Sequence, residues 1–190
     1  MEPDFPALRR LNPDAVGWIR LADTPIDYPI VQERRGDYYL SHNFSRESSR
    51  HGAIALDANT PFVFPDRRNR LRGHNMTDGS MFRALTAYLD PSFCAAQAPI
   101  RLFADSGHYA VQLWAALRVP YAEEYLSLVP EEPLAFAKWS SVIKKRSLYR
   151  TELIPEIGDR HIVFCTCETE GTDGLAHGDV LLFGTVIDCP

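Results

Sequence analysis

Long apolar runs are missing from this chain. No stretch approaches the ~20 consecutive apolar residues that a bilayer-spanning helix needs, and no secretory-leader pattern is read at its start, so no membrane span is expected within these 190 residues. Positive charge is also short: 20 Lys and Arg against 25 Asp and Glu leave a formal net charge of −5, which argues against a sequence-independent surface for nucleic-acid phosphates. Arg67, Arg68, Arg70 and Arg72 form the one dense basic cluster and read as a solvated loop face. Cysteine is sparse too. Cys94, Cys165, Cys167 and Cys189 do not look like a small disulfide scaffold, but they leave room for a free reactive thiol. What remains, 45% hydrophobic and 24% charged, suits one globular domain with a sizeable core.

Pattern along the chain predicts mostly strands. Asn12 before Pro13 reads as a helix cap, so residues 3 to 16 are expected to hold one or two short helices. Trp18–Leu21, Tyr28–Val31 and Ala53–Leu56 are short runs set between turn residues, the signature of strands. Residues 58 to 68 read as turns, with Pro61 and Pro65 opposing regular structure. Met81, Phe82, Leu85, Tyr88 and Leu89 recur at helical spacing and predict a helix from about Ser80 to Leu89. Strands are expected at Ile100–Phe103 and Tyr109–Val119, joined by a turn at Asp105–Gly107, and again at His161–Cys167 and Val180–Ile187. Between them Phe136, Trp139 and Ile143 mark one face of a helix over Pro130–Arg146. The sum is a mixed, β-rich domain.

Two segments carry chemistry: Leu71-Arg72-Gly73-His74-Asn75-Met76 and Ile162-Val163-Phe164-Cys165-Thr166-Cys167. Together they offer a thiol and an imidazole, and an imidazolium both lowers a thiol's pKa and can protonate a leaving amine. Cys165 shares a strand face with Cys167 and reads as core packing. A metal set of Cys165, Cys167 and His177 lacks the paired spacing of zinc motifs. His42, His51, His108 and His161 show no partner in sequence and default to surface or satisfied core. Packing is also the first reading for Tyr38, Tyr39, Phe44, Phe82 and Trp139, with a peptide-groove wall second.

Around these segments the chain resembles the class B sortases. The resemblance runs through Leu11-Asn12-Pro13-Asp14-Ala15-Val16-Gly17-Trp18-Ile19, Ile26-Asp27-Tyr28-Pro29-Ile30-Val31-Gln32, Asp37-Tyr38-Tyr39-Leu40-Ser41-His42-Asn43-Phe44 and Gly52-Ala53-Ile54-Ala55-Leu56-Asp57. It continues in Gly73-His74-Asn75-Met76-Thr77-Asp78-Gly79-Ser80-Met81-Phe82. It implies a single domain over 1–190: a closed eight-stranded barrel with N-terminal helices and a helix between strands six and seven that walls a substrate groove. It further implies that these residues are the exported part of a longer, membrane-anchored protein outside the cytoplasm.

By the same resemblance Cys167 is the nucleophile of a transpeptidase, His74 its acid/base partner, Thr166 a substrate-facing residue, and the backbone N–H of Glu168 an oxyanion donor. The implied partners are a sorting-signal peptide of the Asn-Pro-x-Thr-Gly or Asn-Pro-x-Thr-Asn kind and an acceptor amine from a peptidoglycan precursor or a pilin. No nucleic acid, metal or organic cofactor is implied. One family feature is absent. The Arg of the final strand falls on Asp179, and no Arg or Lys follows Arg160. Arg72 or His177 could supply the cation instead, Asp179 could orient His74, or the domain could be a catalytically impaired module that still recognises peptide.

Overall fold

In a computed structural model the described residues are 2–32, 36–58, 64–96, 99–120, 129–167 and 178–189. A short helix α1 (Phe5–Leu11) opens the chain, with Pro6 in its first turn and the Asp4 carboxylate accepting from Ala7 N at 2.9 Å. Asn12 ends this helix; it does not begin one. Its Nδ2 donates to the Tyr39 hydroxyl (2.9 Å) and the Phe44 carbonyl (2.8 Å), and its Oδ1 accepts from Asp14 N at 3.0 Å, so the expected cap oxygen closes a single turn and no helix follows it. The chain goes straight into β1 (Ala15–Arg20).

Seven more strands follow: β2 (Asp27–Gln32), β3 (Ile54–Leu56), β4 (Arg68–Arg72), β5 (Ile100–Ala104), β6 (Gly107–Val119), β7 (Arg160–Cys167) and β8 (Asp179–Asp188). They close into a barrel in the order β1-β2-β3-β4-β7-β8-β6-β5. Closure leaves no edge strand exposed. β2 with β3 and β4 with β7 are parallel, and the other pairs are antiparallel. Alternation along the strands gives an inner core and two outer ones, the smaller of these formed by Val31, Tyr39, Ala53 and Ala55. Ile19, Ile30, Leu56, Leu71, Phe164 and Leu182 fill the inside. On the outside, Trp114, Leu117, Val163, Leu181 and Phe183 pack against Ile143 and Trp139 of α3 (Pro133–Arg146), the helix between β6 and β7. The eight-stranded barrel and the place of that helix are as expected. α3 starts three residues later than predicted, where the Glu132 carboxylate accepts from Leu134 N and Ala135 N.

Two local expectations are corrected. Residues 68–72 form a strand and not a loop: Asn69 and Leu71 are buried, while the three alternating arginines face outward. Each of those arginines meets a carboxylate, Arg68 with Glu131 at 2.6 Å, Arg72 with Asp37 at 2.9 Å, and Arg70 with Asp57. Arg67, the fourth of the cluster, donates to the Ile157 carbonyl at 3.1 Å, so the arginines are held across neighbouring segments and are not simply solvated. Residues 80–89 do not form the expected helix from Ser80; a 3-10 helix runs from Arg83 to Leu89. The first turn is diverted because Ser80 N bonds the Asp78 carboxylate, Phe82 N donates to His74 O at 2.8 Å, and Met81 sits at φ 55°. Those bonds lash this segment to the His74 loop. A second short helix, α2 (Pro91–Ala96), follows and contains Cys94, whose thiol donates to Tyr88 O at 3.1 Å.

Candidate active site

The parallel ladder between β4 and β7 brings the two chemical segments together. Arg72 pairs with Cys165 at its end, and Gly73 N donates to Cys165 O at 3.2 Å. At the next rung the strand pattern would call for the Asn75 backbone N–H on the Cys167 carbonyl. The Asn75 side chain does this instead, Nδ2 donating at 2.8 Å, while its backbone forms a bridge with Met81. Gly73–Asn75 therefore runs alongside Thr166–Cys167, and His74 takes the register position beside Cys167. Gly73 has to be glycine here. A Cβ on it would lie 2.6 Å from Ile54 Cδ1 and 2.8 Å from Phe82 Cδ2.

The imidazole is oriented from the other side. His74 Nε2 lies 2.7 Å from the Leu40 carbonyl oxygen. A carbonyl only accepts, so Nε2 carries the hydrogen and Nδ1 is left as the nitrogen that can exchange a proton. Leu40 closes a 3-10 turn, Tyr38–Leu40. Its neighbour Tyr39 is buried and donates its hydroxyl hydrogen to Asp14 at 2.8 Å, while Asn12 Nδ2 donates to the hydroxyl oxygen; Arg46 completes the group on Asp14 at 2.7 Å. Burial pushes the Tyr39 pKa up, so it stays a neutral donor. Gly52 packs beneath at φ 60°. A Cβ there would overlap the Tyr39 carbonyl and approach His74 Cδ2 to 3.2 Å.

Alternation sorts the remaining candidates. Cys167 is exposed at the outer face, and its cross-strand neighbour in β8 is Asp179. With the order β4-β7-β8, Asp179 and His74 flank Cys167 from opposite sides, two strand spacings or about 10 Å apart. The group that orients His74 is the Leu40 carbonyl. Arg72 lies one rung back, beside Cys165, and is held by Asp37. Thr166 departs from the expectation that it faces substrate. It is 3% exposed and pairs with the core residue Val180, because consecutive strand residues point to opposite faces. Glu168 and His177 lie outside the described residues.

Cys165 packs against the outer core, where burial first, then the negative charge of Asp179 and Cys167, pushes its pKa up to about 12. It is an inert thiol at neutral pH. Among the other histidines, His51 pairs with Asp78 at 3.0 Å and His161 is buried at the far end of β7. Tyr39 and Phe82 are core residues, as packing predicts, and Trp139 meets Trp114 edge-to-face with ring centroids 5.8 Å apart. Three contributors escape a reading of the sequence: the Leu40 carbonyl, Gly52 and the Asn75 amide. The first is backbone and leaves no side-chain signal. The third belongs to a recognised segment, but its partner is visible only once the strands are paired.

No protein-family model matches the chain. Sortase B of Listeria monocytogenes is 36% identical over 163 residues, covering 86% of this chain and 66% of that protein. A solved structure of sortase B from the same organism aligns with TM-score 0.81 at 32% identity, covering 95% of this chain and 99% of that one. Sortase B of Staphylococcus aureus, solved as a substrate complex and complexed with triglycine, aligns in both with TM-score 0.87 at 26% identity, over 98% of this chain and 85% and 86% of those. A barrel of this topology with a cysteine at the end of β7 and a histidine at the end of β4, matched at this level, defines the class: the chain belongs to the class B sortases. It spans about two thirds of the curated Listeria protein's length.

Proposed function

We propose that this chain is the catalytic domain of a cysteine transpeptidase that cleaves a sorting signal and passes the acyl group to an amine. The β4–β7 register, which ends at Arg72 and Cys165 and is carried on by the Asn75 amide on the Cys167 carbonyl, supports the reading, since continued to the next residues it brings His74 level with the exposed Cys167. Cys167 gives its proton to Nδ1 of His74, Nε2 remaining on the Leu40 carbonyl, and the thiolate attacks the Thr carbonyl of the signal. The tetrahedral oxyanion collapses, the C–N bond breaks, and the imidazolium proton goes to the departing amine. An incoming amine then attacks the thioester and returns the thiol. The acyl group is stored on sulfur, so the scheme uses no metal or organic cofactor. S. aureus sortase B has been solved with a substrate and with triglycine, which supports a peptide donor and an amine acceptor here. We place the domain outside the cytoplasm, tethered to the membrane in the full-length protein, with a peptidoglycan precursor or pilin amine as acceptor.

The test is a thioester. Mixing the protein with an Asn-Pro-x-Thr-Asn peptide and quenching in acid should give an adduct on Cys167 by mass spectrometry. Cys167→Ala and His74→Ala should lose it, and Cys165→Ala should keep it within about twofold, as its thiol stays protonated. An adduct on Cys165, or none on the unmodified protein, ends the proposal.

A further inference from the structure

The amide that Cys167 shares with the next residue is gripped from outside its own strand. Asn75 Nδ2 donates to the Cys167 carbonyl at 2.8 Å, and Asn75 Oδ1 in turn accepts from Arg83 Nη1 at 3.3 Å. An asparagine amide has two ends of equal size and opposite polarity. The guanidinium decides between them: with a cation at Oδ1, Nδ2 is the end presented to Cys167. The charge also polarises the amide and strengthens its donor end. Arg83 begins the 3-10 helix that follows the His74 loop, and that loop is tied down through Phe82 N to His74 O and the Tyr28 hydroxyl accepting from Met81 N at 3.1 Å. Arg83 and Asn75 thus form a short relay from the His74 side of the site onto the nucleophile's own peptide group.

We propose that Asn75, set by Arg83, is a positioning residue of the reaction described above: it holds the Cys167 carbonyl and thereby the plane of the peptide group whose N–H receives the oxyanion. The amide is planar, so a grip on its oxygen is a grip on its N–H. The inference rests on the transpeptidase reading. It also predicts a division of labour. His74 acts on the sulfur, whereas Asn75 and Arg83 act on the oxyanion and leave the thiol's ionisation alone.

Two measurements separate these roles. The rate of Cys167 alkylation by iodoacetamide against pH reads the thiol; single-turnover thioester formation with an Asn-Pro-x-Thr-Asn peptide reads the whole step. Asn75→Ala should leave the alkylation profile in place and slow acylation about tenfold to a hundredfold with KM little changed, less than removal of a direct oxyanion donor. Asn75→Asp keeps the size and the Arg83 contact but replaces the donor by a carboxylate, and should be at least as slow. Arg83→Gln should be milder, and Arg83→Lys should recover part of the rate. If Asn75→Ala fails to fold, Asn75→Asp and Arg83→Gln carry the same test.

A direct readout needs no turnover. Cys167-Glu168 is the only Cys-Glu step in the sequence, so carbonyl-13C cysteine with 15N glutamate isolates this one peptide group by NMR. Loss of the Asn75 donor should move its carbonyl resonance upfield. Unchanged acylation in both Asn75 variants, an alkylation shift that accounts for the whole loss, or an unmoved carbonyl resonance would overturn the inference. An unmodified protein that forms no thioester sinks the transpeptidase reading, and the catalytic part of this inference falls with it. An active protein with an unmoved resonance sinks this inference alone.

Discussion

The two flanks of Cys167 are built differently. On the β4 side His74 is held by a backbone carbonyl, backed by a glycine at positive φ, and braced through a buried group of Tyr39, Asn12 and Asp14 that reaches to the end of α1 and is closed from the surface by Arg46. On the β8 side the neighbour is a carboxylate, Asp179, where relatives of this fold are expected to carry a guanidinium. The imidazole side is therefore over-determined and the β8 side is where the chemistry departs. A site can keep its acid/base partner by geometry alone, while the stabilisation of negative charge depends on which charge stands opposite.

The strongest way to break the braced flank is Gly52→Ala. The new methyl would force a left-handed backbone on a residue that resists it and push into the Tyr39 and Leu40 carbonyls, costing about 2–3 kcal/mol. Gly79→Ala is the control: it shares positive φ (88°) but has open space around it, so it should lose only the backbone part. Chemical denaturation of the two variants measures the difference, and thioester formation should fall only in Gly52→Ala. Equal losses in both would mean that the packing under Leu40 does not matter. Next in size is Tyr39→Phe, which removes a buried hydroxyl shared by Asn12 and Asp14. It should cost about 1–2 kcal/mol. An unchanged denaturation midpoint would show that Arg46 alone satisfies Asp14.

This contrast explains how much can be read in the sequence. The barrel strands and α3 are legible because their apolar positions repeat with the right period, and Cys167 and His74 because their segments are distinctive. β4 is not, since three of its five residues are arginines and only Leu71 signals a core. Asn12 misleads because its partners, Tyr39 and Phe44, come from a loop far along the chain. Resemblance places Thr166 toward substrate, and strand alternation turns it inward. The replacement at Asp179 is visible, but only the order β4-β7-β8 puts it on the far side of the sulfur from His74.

The β8 flank is sharpened by Asp179→Asn. A carboxylate one strand away opposes ionisation of the thiol, so its removal should lower the pH midpoint of Cys167 alkylation by about half a unit to one unit. Asp179→Arg should move it further the same way and speed thioester formation. A midpoint that rises in Asp179→Asn would reverse the comparison, because it would show the carboxylate holding a cation against the sulfur.

The smallest effect is expected away from both flanks, at the opposite end of β7. His161 is 2% exposed, with ring contacts to Phe136 at 5.2 Å and Trp139 at 6.3 Å, and its Nε2 donates to the Glu156 carbonyl. Burial lowers its pKa, outweighing the Glu156 hydrogen bond and the charge of Asp159. The unfolded chain takes up a proton near pH 6.5 that the folded chain refuses, so the unfolded state binds more protons and stability falls as pH drops. The loss begins below about 6.5 and is complete once pH passes the lower folded value. Exposed carboxylates with lowered pKa, Asp90 and Asp105, act only below their ordinary range near 3.8 and do not overlap this window. Melting temperatures between pH 7.5 and about 5 should therefore decline more gently in His161→Gln than in the parent. If both decline in parallel, the acid sensitivity belongs to groups other than His161.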